Sequence, residues 1–309
     1  MELAWIKWLQ QQISTSSRVM IPIGDDAAWL DWSAEGGCVT ATDLLADGVH
    51  FHLEAVDPEA IGYKSLAVNL SDMAAMAAVP RAATISLLLP DENSAPLAEG
   101  ILNGVIALAK RFDVEIVGGD TNVWAGNLVT SVNVLGESTP RGLWRRDRAE
   151  PGDRLLVTGD LGGSLFGKHL HFVPRVAEAL LLNQKYTIHA AMDISDGLGL
   201  DLRRLGTASG LGGTLDADSL PISHAAINAF EAGSDRTALE HALFDGEDFE
   251  LLLAVPEKEA KRLLADQPLD STMLTEIGTL HEDPSFYLID QGGKKVDLPI
   301  GGFEHGNRK

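Results

Sequence analysis

The sequence predicts two mixed α/β domains, and three observations lead there. The chain has 309 residues, enough to bury a sizeable core in each of two domains. Apolar, strand-like runs alternate with helical segments in both halves. Between the halves, a basic stretch from Arg141 to Arg148 precedes Pro151-Gly152-Asp153, a turn signal. The boundary falls near residue 148, giving domains 1–148 and 149–309.

Taken in order, Trp5, Ile6, Trp8, Leu9 and Ile13 recur at helical spacing and predict a short amphipathic helix, and Gly37 to Thr42 reads as a strand after a Gly-Gly turn. Asp57-Pro58-Glu59 is a strong helix start: an N-cap acceptor, a proline at the first helical position and an acid at the positive end. That helix is expected to run to Val79, before Pro80. An apolar run, Ala83 to Leu89, is followed by a helix from Pro96 to Phe112 with Ser94 as its cap. A strand then runs from Val114 to Val117 and ends in Gly118-Gly119-Asp120, and Leu128 to Leu135 closes the first half. The second half predicts strands at Arg154–Thr158, His189–Met192 and Phe249–Val255, and helices at Pro174–Asn183, Leu198–Ser209 and Pro256–Ala265. A hairpin-like Phe286 to Asp297 turns around Gln291-Gly292-Gly293.

Composition narrows the function. With 24 Lys+Arg against 45 Asp+Glu, the formal net charge is −21, a field that repels nucleic-acid backbones and anionic lipid. If such a protein handles phosphates, cations must mediate. Cys38 is the one cysteine, which excludes an intrachain disulfide and a cysteine-based zinc site and fits a reducing cytoplasm. Met1 to Ile13 lacks the features of a signal peptide, and no stretch reaches the roughly 18 apolar residues of a membrane span. The expectation is a soluble cytoplasmic protein with no nucleic-acid or membrane partner.

The aspartates are the informative residues. They sit beside glycine or at expected strand ends in Gly24-Asp25-Asp26, Thr42-Asp43, Gly119-Asp120 and Asp193-Ile194-Ser195-Asp196-Gly197. Any one of these reads as a solvated turn; the set suggests a shared purpose. Asp72 lies within an otherwise apolar helix, where an unpaired buried carboxylate would be costly. Ser65, Asn69 and Asp72 share one helical face, either a polar stripe toward solvent or a carboxylate aimed into a metal site. Carboxylates with few histidines or thiolates suit hard cations, and Mg²⁺ shares its carboxylates with substrate phosphates.

Other signals read as structural. Gly162 to Lys168 matches the first seven positions of a P-loop, but His169 stands where a hydroxyl should hold Mg²⁺, so the segment reads as a Gly-rich connection. His50/His52 and His169/His171 are spaced so that, in a strand, both rings merely share a face. Ser164 lies outside any G-x-S-x-G elbow and Cys38 within an apolar strand, and both read as core or turn residues.

In order along the chain stand Ile23-Gly24-Asp25-Asp26-Ala27, Thr42-Asp43, Val49-His50-Phe51, Ala67-Val68-Asn69-Leu70-Ser71-Asp72-Met73-Ala74-Ala75-Met76 and Val117-Gly118-Gly119-Asp120-Thr121. Met192-Asp193-Ile194-Ser195-Asp196-Gly197-Leu198, Gly246-Glu247-Asp248-Phe249-Glu250-Leu251 and Gly302-Phe303-Glu304-His305 follow. The set spans nearly the whole chain and resembles the thiamine-monophosphate kinase family.

The resemblance implies a two-domain aminoimidazole-ribonucleotide-synthetase-like fold, α/β of the α+β type, with N-terminal domains pairing in a homodimer. It implies transfer of the ATP γ-phosphoryl group to thiamine monophosphate, the last step of thiamine diphosphate biosynthesis, with several Mg²⁺ ions and without a phosphoenzyme or a general base. Carried over by position, Asp26, Thr42, Asp43, Asp72, Asp120, Asp193 and Asp196 match Mg²⁺-binding positions. Gly119, Asp120, Arg146 and Ser195 match nucleotide contacts, and His50, Glu247 and Phe303 match substrate contacts. Two departures stand out: Ala41 replaces a frequent hydroxyl residue, and the connection from Asp160 to Val173 is shorter than usual, implying a shortened lid or rim. The alternatives are a non-catalytic acidic ATP/Mg-binding homologue and another ATP-using enzyme of the superfamily. Of the latter, the cysteine-dependent members are excluded by the lack of a suitably placed thiol.

Overall fold

The computed structural model describes residues 11–13, 16–17, 19–21, 29–30, 37–91 and 94–303. The helix expected on Trp5, Ile6, Trp8 and Leu9 lies outside them. The chain divides into two units, one taking residues up to Met73 with Ala78–Pro140, the other Ala74–Ala77 with Arg141 onward. The basic stretch from Arg141 to Arg148 therefore belongs to the second unit.

In the first unit, β1 (Val19–Ile21) pairs antiparallel with β2 (Trp29–Leu30). β3 (Cys38–Ala46) begins the main sheet. The helix start behaves as its chemistry requires: Asp57 Oδ1 accepts the Glu59 N–H at 3.0 Å, opening α1 (Pro58–Ala75). The helix ends four residues before the expected Val79. The Ala78 N–H donates to the Met73 carbonyl and the Ala77 N–H to that of Ala74, both at 2.9 Å, with Ala77 at φ 50°. This is a left-handed helix closure normally made by glycine. It releases the chain directly into β4 (Val79–Pro90), which is longer than the apolar run alone suggests.

α2 (Ser94–Arg111) packs on β4 and on β5 (Glu115–Trp124), and β6 (Val129–Glu137) completes a sheet of order β3-β6-β4-β5. β4 and β5 run parallel and the other pairs antiparallel. Gly118-Gly119-Asp120 was expected to end a strand; it sits mid-strand instead, because pairing with β4 continues to Pro90↔Trp124.

The second unit carries β7 (Arg154–Thr158), α3 (Val176–Lys185), β8 (Ala190–Asp193), α4 (Leu198–Ala208) and β9 (Gly212–Asp216). α5 (His224–Glu231), α6 (Ala238–Phe244), β10 (Leu251–Val255), α7 (Glu257–Asp266) and β11 (Leu274–His281) follow. β12 (Phe286–Ile289) and β13 (Lys295–Asp297) form the expected hairpin. The sheet order is β13-β12-β9-β11-β7-β10-β8, and only β12 with β9 is parallel. Leu155, Val157, Met192, Leu202, Leu215, Leu252, Ile277 and Leu280 build its core. No helix among the described residues is long and apolar enough to cross a membrane.

One contact in the first unit leaves no room for a side chain. A Cβ on Gly104 of α2 would lie 1.9 Å from the Glu59 carbonyl oxygen of α1, so the two helices touch backbone to backbone. Gly104→Ala is expected to lower unfolding stability by about 3 kcal/mol through forced separation of the helices. Urea denaturation checks this, and an unchanged midpoint would refute the contact.

Candidate functional site

The first unit places its matched residues along one sheet and one helix. Thr42 and Asp43 lie on β3, where the Thr42 hydroxyl donates to the Val132 carbonyl at 3.1 Å. Asp43, Val132, Ile85 and Gly119 form one row across the sheet, and Asp120 begins the next. β3 and β5 are opposite edges three ladder steps apart, roughly 14 Å. The sheet therefore does not bring Asp43 and Asp120 together. A Cβ on Gly119 would meet the Ile85 carbonyl oxygen at 2.0 Å, a packing reason for glycine there. Asp120 is exposed, and its Oδ1 accepts the Thr121 N–H at 2.9 Å.

On α1, Ser65 and Asn69 are buried and Asp72 is half-buried, so this face is not a stripe toward solvent. The Ser65 and Thr130 hydroxyls lie 2.7 Å apart. Lys64, a residue the sequence did not single out, is fully buried and donates to the His50 carbonyl at 2.7 Å. His50 itself accepts the Ala46 N–H at Nδ1, 3.1 Å. Asp26 lies outside the described residues.

The second unit gathers its matched residues closely. β8 delivers buried Asp193 into the turn Ile194–Gly197, and α4 follows. The Glu247 N–H donates to the Ser195 carbonyl at 2.7 Å, and the Phe303 N–H to that of Asp196 at 2.9 Å. Residues matched to metal, nucleotide and substrate thus stand on three adjoining segments. Glu247 and Phe249 hold left-handed backbone, φ 65° and 50°, a strain that persists only where surrounding contacts impose it. Arg146 is exposed near the start of this unit, its carbonyl accepting the Ser209 hydroxyl.

Asp201 is the organiser that sequence reasoning missed. Its Oδ2 accepts the N–H groups of Ser195 (3.1 Å) and Asp196 (2.9 Å), and its Oδ1 takes Arg204 at 2.8 Å; Arg204 also bonds Asp196. The available signal was an acid in the first turn of the helix that follows the Asp-rich turn. Burial, then the nearby carboxylates of Asp193 and Asp196, push the Asp201 carboxyl up to about 7.

Several readings resolve against the geometry. Lys168 of the P-loop-like segment bonds Glu250 at 2.9 Å, and short 3₁₀ turns rather than an α-helix follow Gly162. His169 Nδ1 lies 2.9 Å from the Ser164 carbonyl oxygen. Cys38, expected inside an apolar strand, is exposed because it begins the edge strand β3. Among the described residues, no three His, Cys, Asp or Glu side chains gather closely enough to hold a metal ion. The donor set is nonetheless all oxygen, from Asp and Thr, which is the chemistry Mg²⁺ selects.

Comparison with known proteins defines the class. Residues 24–138 match the AIR synthase related protein N-terminal domain, and residues 167–291 match the corresponding C-terminal domain. The chain is 43% identical to the thiamine-monophosphate kinase of Rhodopirellula baltica over 267 residues, 84% of each chain. It is 34% identical to that of Salmonella typhimurium, covering 92% of this chain and 91% of the relative. The solved structure of AaThiL complexed with AMPPCP and TMP superposes with a TM-score of 0.77 at 31% identity, covering 98% of this chain and 96% of that one. Two AIR-synthase-related domains make this chain one of that superfamily. It belongs to the thiamine-monophosphate kinase family, a family of enzymes.

The raised Asp201 carboxyl sets a pH dependence. Its folded value exceeds the ordinary carboxylate value, so the native state keeps a proton that the unfolded chain releases. Its stabilising contribution is complete below the carboxylate range and lost as pH rises toward about 7. In metal-free protein, urea midpoints are expected to fall between pH 4 and 7, and Asp201→Asn to flatten that slope. An Asn variant with the wild-type slope would refute the assignment.

Proposed function

We propose that this protein is a kinase that transfers the γ-phosphoryl group of ATP to the phosphate of thiamine monophosphate, giving thiamine diphosphate and ADP, the last step in making that cofactor. The observation that supports it most is the pair of backbone bonds, Ser195 to Glu247 and Asp196 to Phe303. They set residues matched to nucleotide, metal and substrate side by side. A family member with AMPPCP and TMP bound adds support.

The acceptor is an anionic phosphate oxygen, so it attacks in line without a general base and without a phosphoenzyme. Arg146, exposed, offers a planar fork for phosphate. Phe303, 43% exposed, offers an aromatic face to the cationic thiazolium or the pyrimidine. His50 and Glu247 would complete the substrate contacts, and Gly119, Asp120 and Ser195 the nucleotide contacts. Asp26, Thr42, Asp43, Asp72, Asp120, Asp193 and Asp196 would hold several Mg²⁺ ions, which when bound neutralise phosphate oxygens as charge shifts. ATP supply and the single thiol suit a cytoplasmic enzyme.

A homodimer through the first unit is part of the reading. Among the described residues no strand pairs with the outer edge of β3 or β5, Leu44 is 58% and Trp124 44% accessible, and apolar surface at such an edge needs cover. Light scattering is expected to give a dimer mass, and Leu44→Asp a shift toward monomer. A monomeric wild type would contradict the pairing.

The activity test is incubation with ATP, Mg²⁺ and thiamine monophosphate, quantifying thiamine diphosphate against controls without magnesium and with free thiamine. Magnesium-dependent product from the monophosphate alone is expected, with Asp43→Asn and Asp193→Asn each lowering kcat by at least about 100-fold. ATP binding without product would favour the non-catalytic homologue.

A further inference from the structure

The short connection after β7 carries features that the proposed reaction does not use. Gly162, Gly163, Ser164 and Lys168 fasten it to the segment 245–250. Asp248 accepts the Gly162 N–H at 2.9 Å, and Asp245 accepts that of Gly163 at 2.9 Å. The Ser164 hydroxyl donates to the Glu247 carbonyl at 2.6 Å. Lys168 bonds Glu250 at 2.9 Å, and Arg175 grips Glu250 through two nitrogens at 2.7 and 2.8 Å. Phe172 stacks on Phe249 with centroids 4.1 Å apart. Ser164 is 0% and Glu250 1% exposed, so these two side chains are shielded from water.

Glycine is required twice here. Gly162 and Gly163 take φ 81° and 73°, and a Cβ on either would come within 2.6 Å of a backbone nitrogen, of Ala242 and Ala226 respectively. The Gly-rich pattern thus serves close approach to α6 and α5, with its lysine answering a buried carboxylate of the same chain.

At the centre of this strap, the strained Glu247 is held from both sides. Its N–H is bound by the Ser195 carbonyl and its own carbonyl by Ser164. We infer that Ser164 is a positioning residue for thiamine monophosphate, fixing the left-handed Glu247 backbone so that the Glu247 side chain meets the substrate. The inference rests on the proposed substrate role of Glu247. The shortened connection is then a brace for the acceptor site rather than a reduced lid over the nucleotide. Losing the Ser164 hydroxyl leaves the Glu247 carbonyl without that donor and frees Glu247 to leave its strained conformation.

The test is a double-mutant cycle of Ser164→Ala and Glu247→Ala, read by steady-state kinetics and by calorimetric binding of thiamine monophosphate. Ser164→Ala is expected to raise KM and Kd for thiamine monophosphate about tenfold, the worth of roughly one hydrogen bond. Its kcat and KM for ATP should stay within about twofold, and adding Ser164→Ala to Glu247→Ala should cost little more. Ser164→Cys, close in volume with a weaker donor, should recover part of the affinity and covers the case in which the alanine variant misfolds. An active wild type with unchanged thiamine monophosphate affinity in Ser164→Ala and Ser164→Cys overturns the positioning role alone. So does an equal loss toward both substrates, or full additivity with Glu247→Ala. A wild type that binds thiamine monophosphate without phosphorylating it overturns the kinase reading, and the positioning role then stands or falls on Kd. A wild type that does not bind it overturns both.

Discussion

Asp201 accepts two successive backbone N–H groups, and that interaction shapes the turn that carries the proposed metal and nucleotide residues of the second unit. A carboxylate taken out of water must be hydrogen-bonded or paired, and a chain with 45 acids and 24 bases cannot pair them all. It relies on backbone donors. Asp245 and Asp248 bind the N–H groups of Gly163 and Gly162 in the same manner, while two of its scarce cations, Lys168 and Arg175, go to buried Glu250. Burial opposes charge on Lys168, yet Glu250 beside it holds the ammonium above its ordinary range. Asp248, deeply buried with acidic neighbours, is pushed well up despite its backbone donor.

Backbone bonds from Glu247 to Ser195, from Phe249 to Ile194 and from Phe303 to Asp196 tie the turn 194–197, the segment 245–250 and residues 301–303 to one another. Exposed Phe303 and the half-buried Asp196 and Glu247 can then meet a ligand without each being fixed separately. Preorganisation of this kind suits phosphoryl transfer, in which a protein mostly positions and stabilises charge. The strain at Glu247 and Phe249 is the local cost of presenting that surface.

Much of the architecture was legible in the sequence because its signals are local. Asp57-Pro58-Glu59 opens α1 as capping chemistry requires, and Arg154–Thr158 is the strand that its apolar run describes. Where the reading failed, tertiary pairing decided: β5 runs through Gly118-Gly119-Asp120 because β4 lies beside it. α1 stops early because Ala77 adopts a conformation that its sequence does not advertise. β9, β11, α5 and α6 carry weaker patterns and were not anticipated. The turn at Asp193–Gly197 was legible as acids beside glycine, and the segment 246–251 through its resemblance to the family. The contacts of Ser164 and Glu250 were not, since their partners are distant in sequence, 83 positions from Ser164 to Glu247 and 92 from Thr158 to Glu250, and Asp201 was not, since it acts through the backbone N–H groups of Ser195 and Asp196.

The most direct measurement is amide hydrogen exchange with and without thiamine monophosphate plus a non-hydrolysable ATP analogue and Mg²⁺. Exchange should slow together in residues 193–197, 245–249 and 301–303. Protection confined to one of these segments, or absent from all three while both ligands bind, would contradict a ligand surface shared by these three segments.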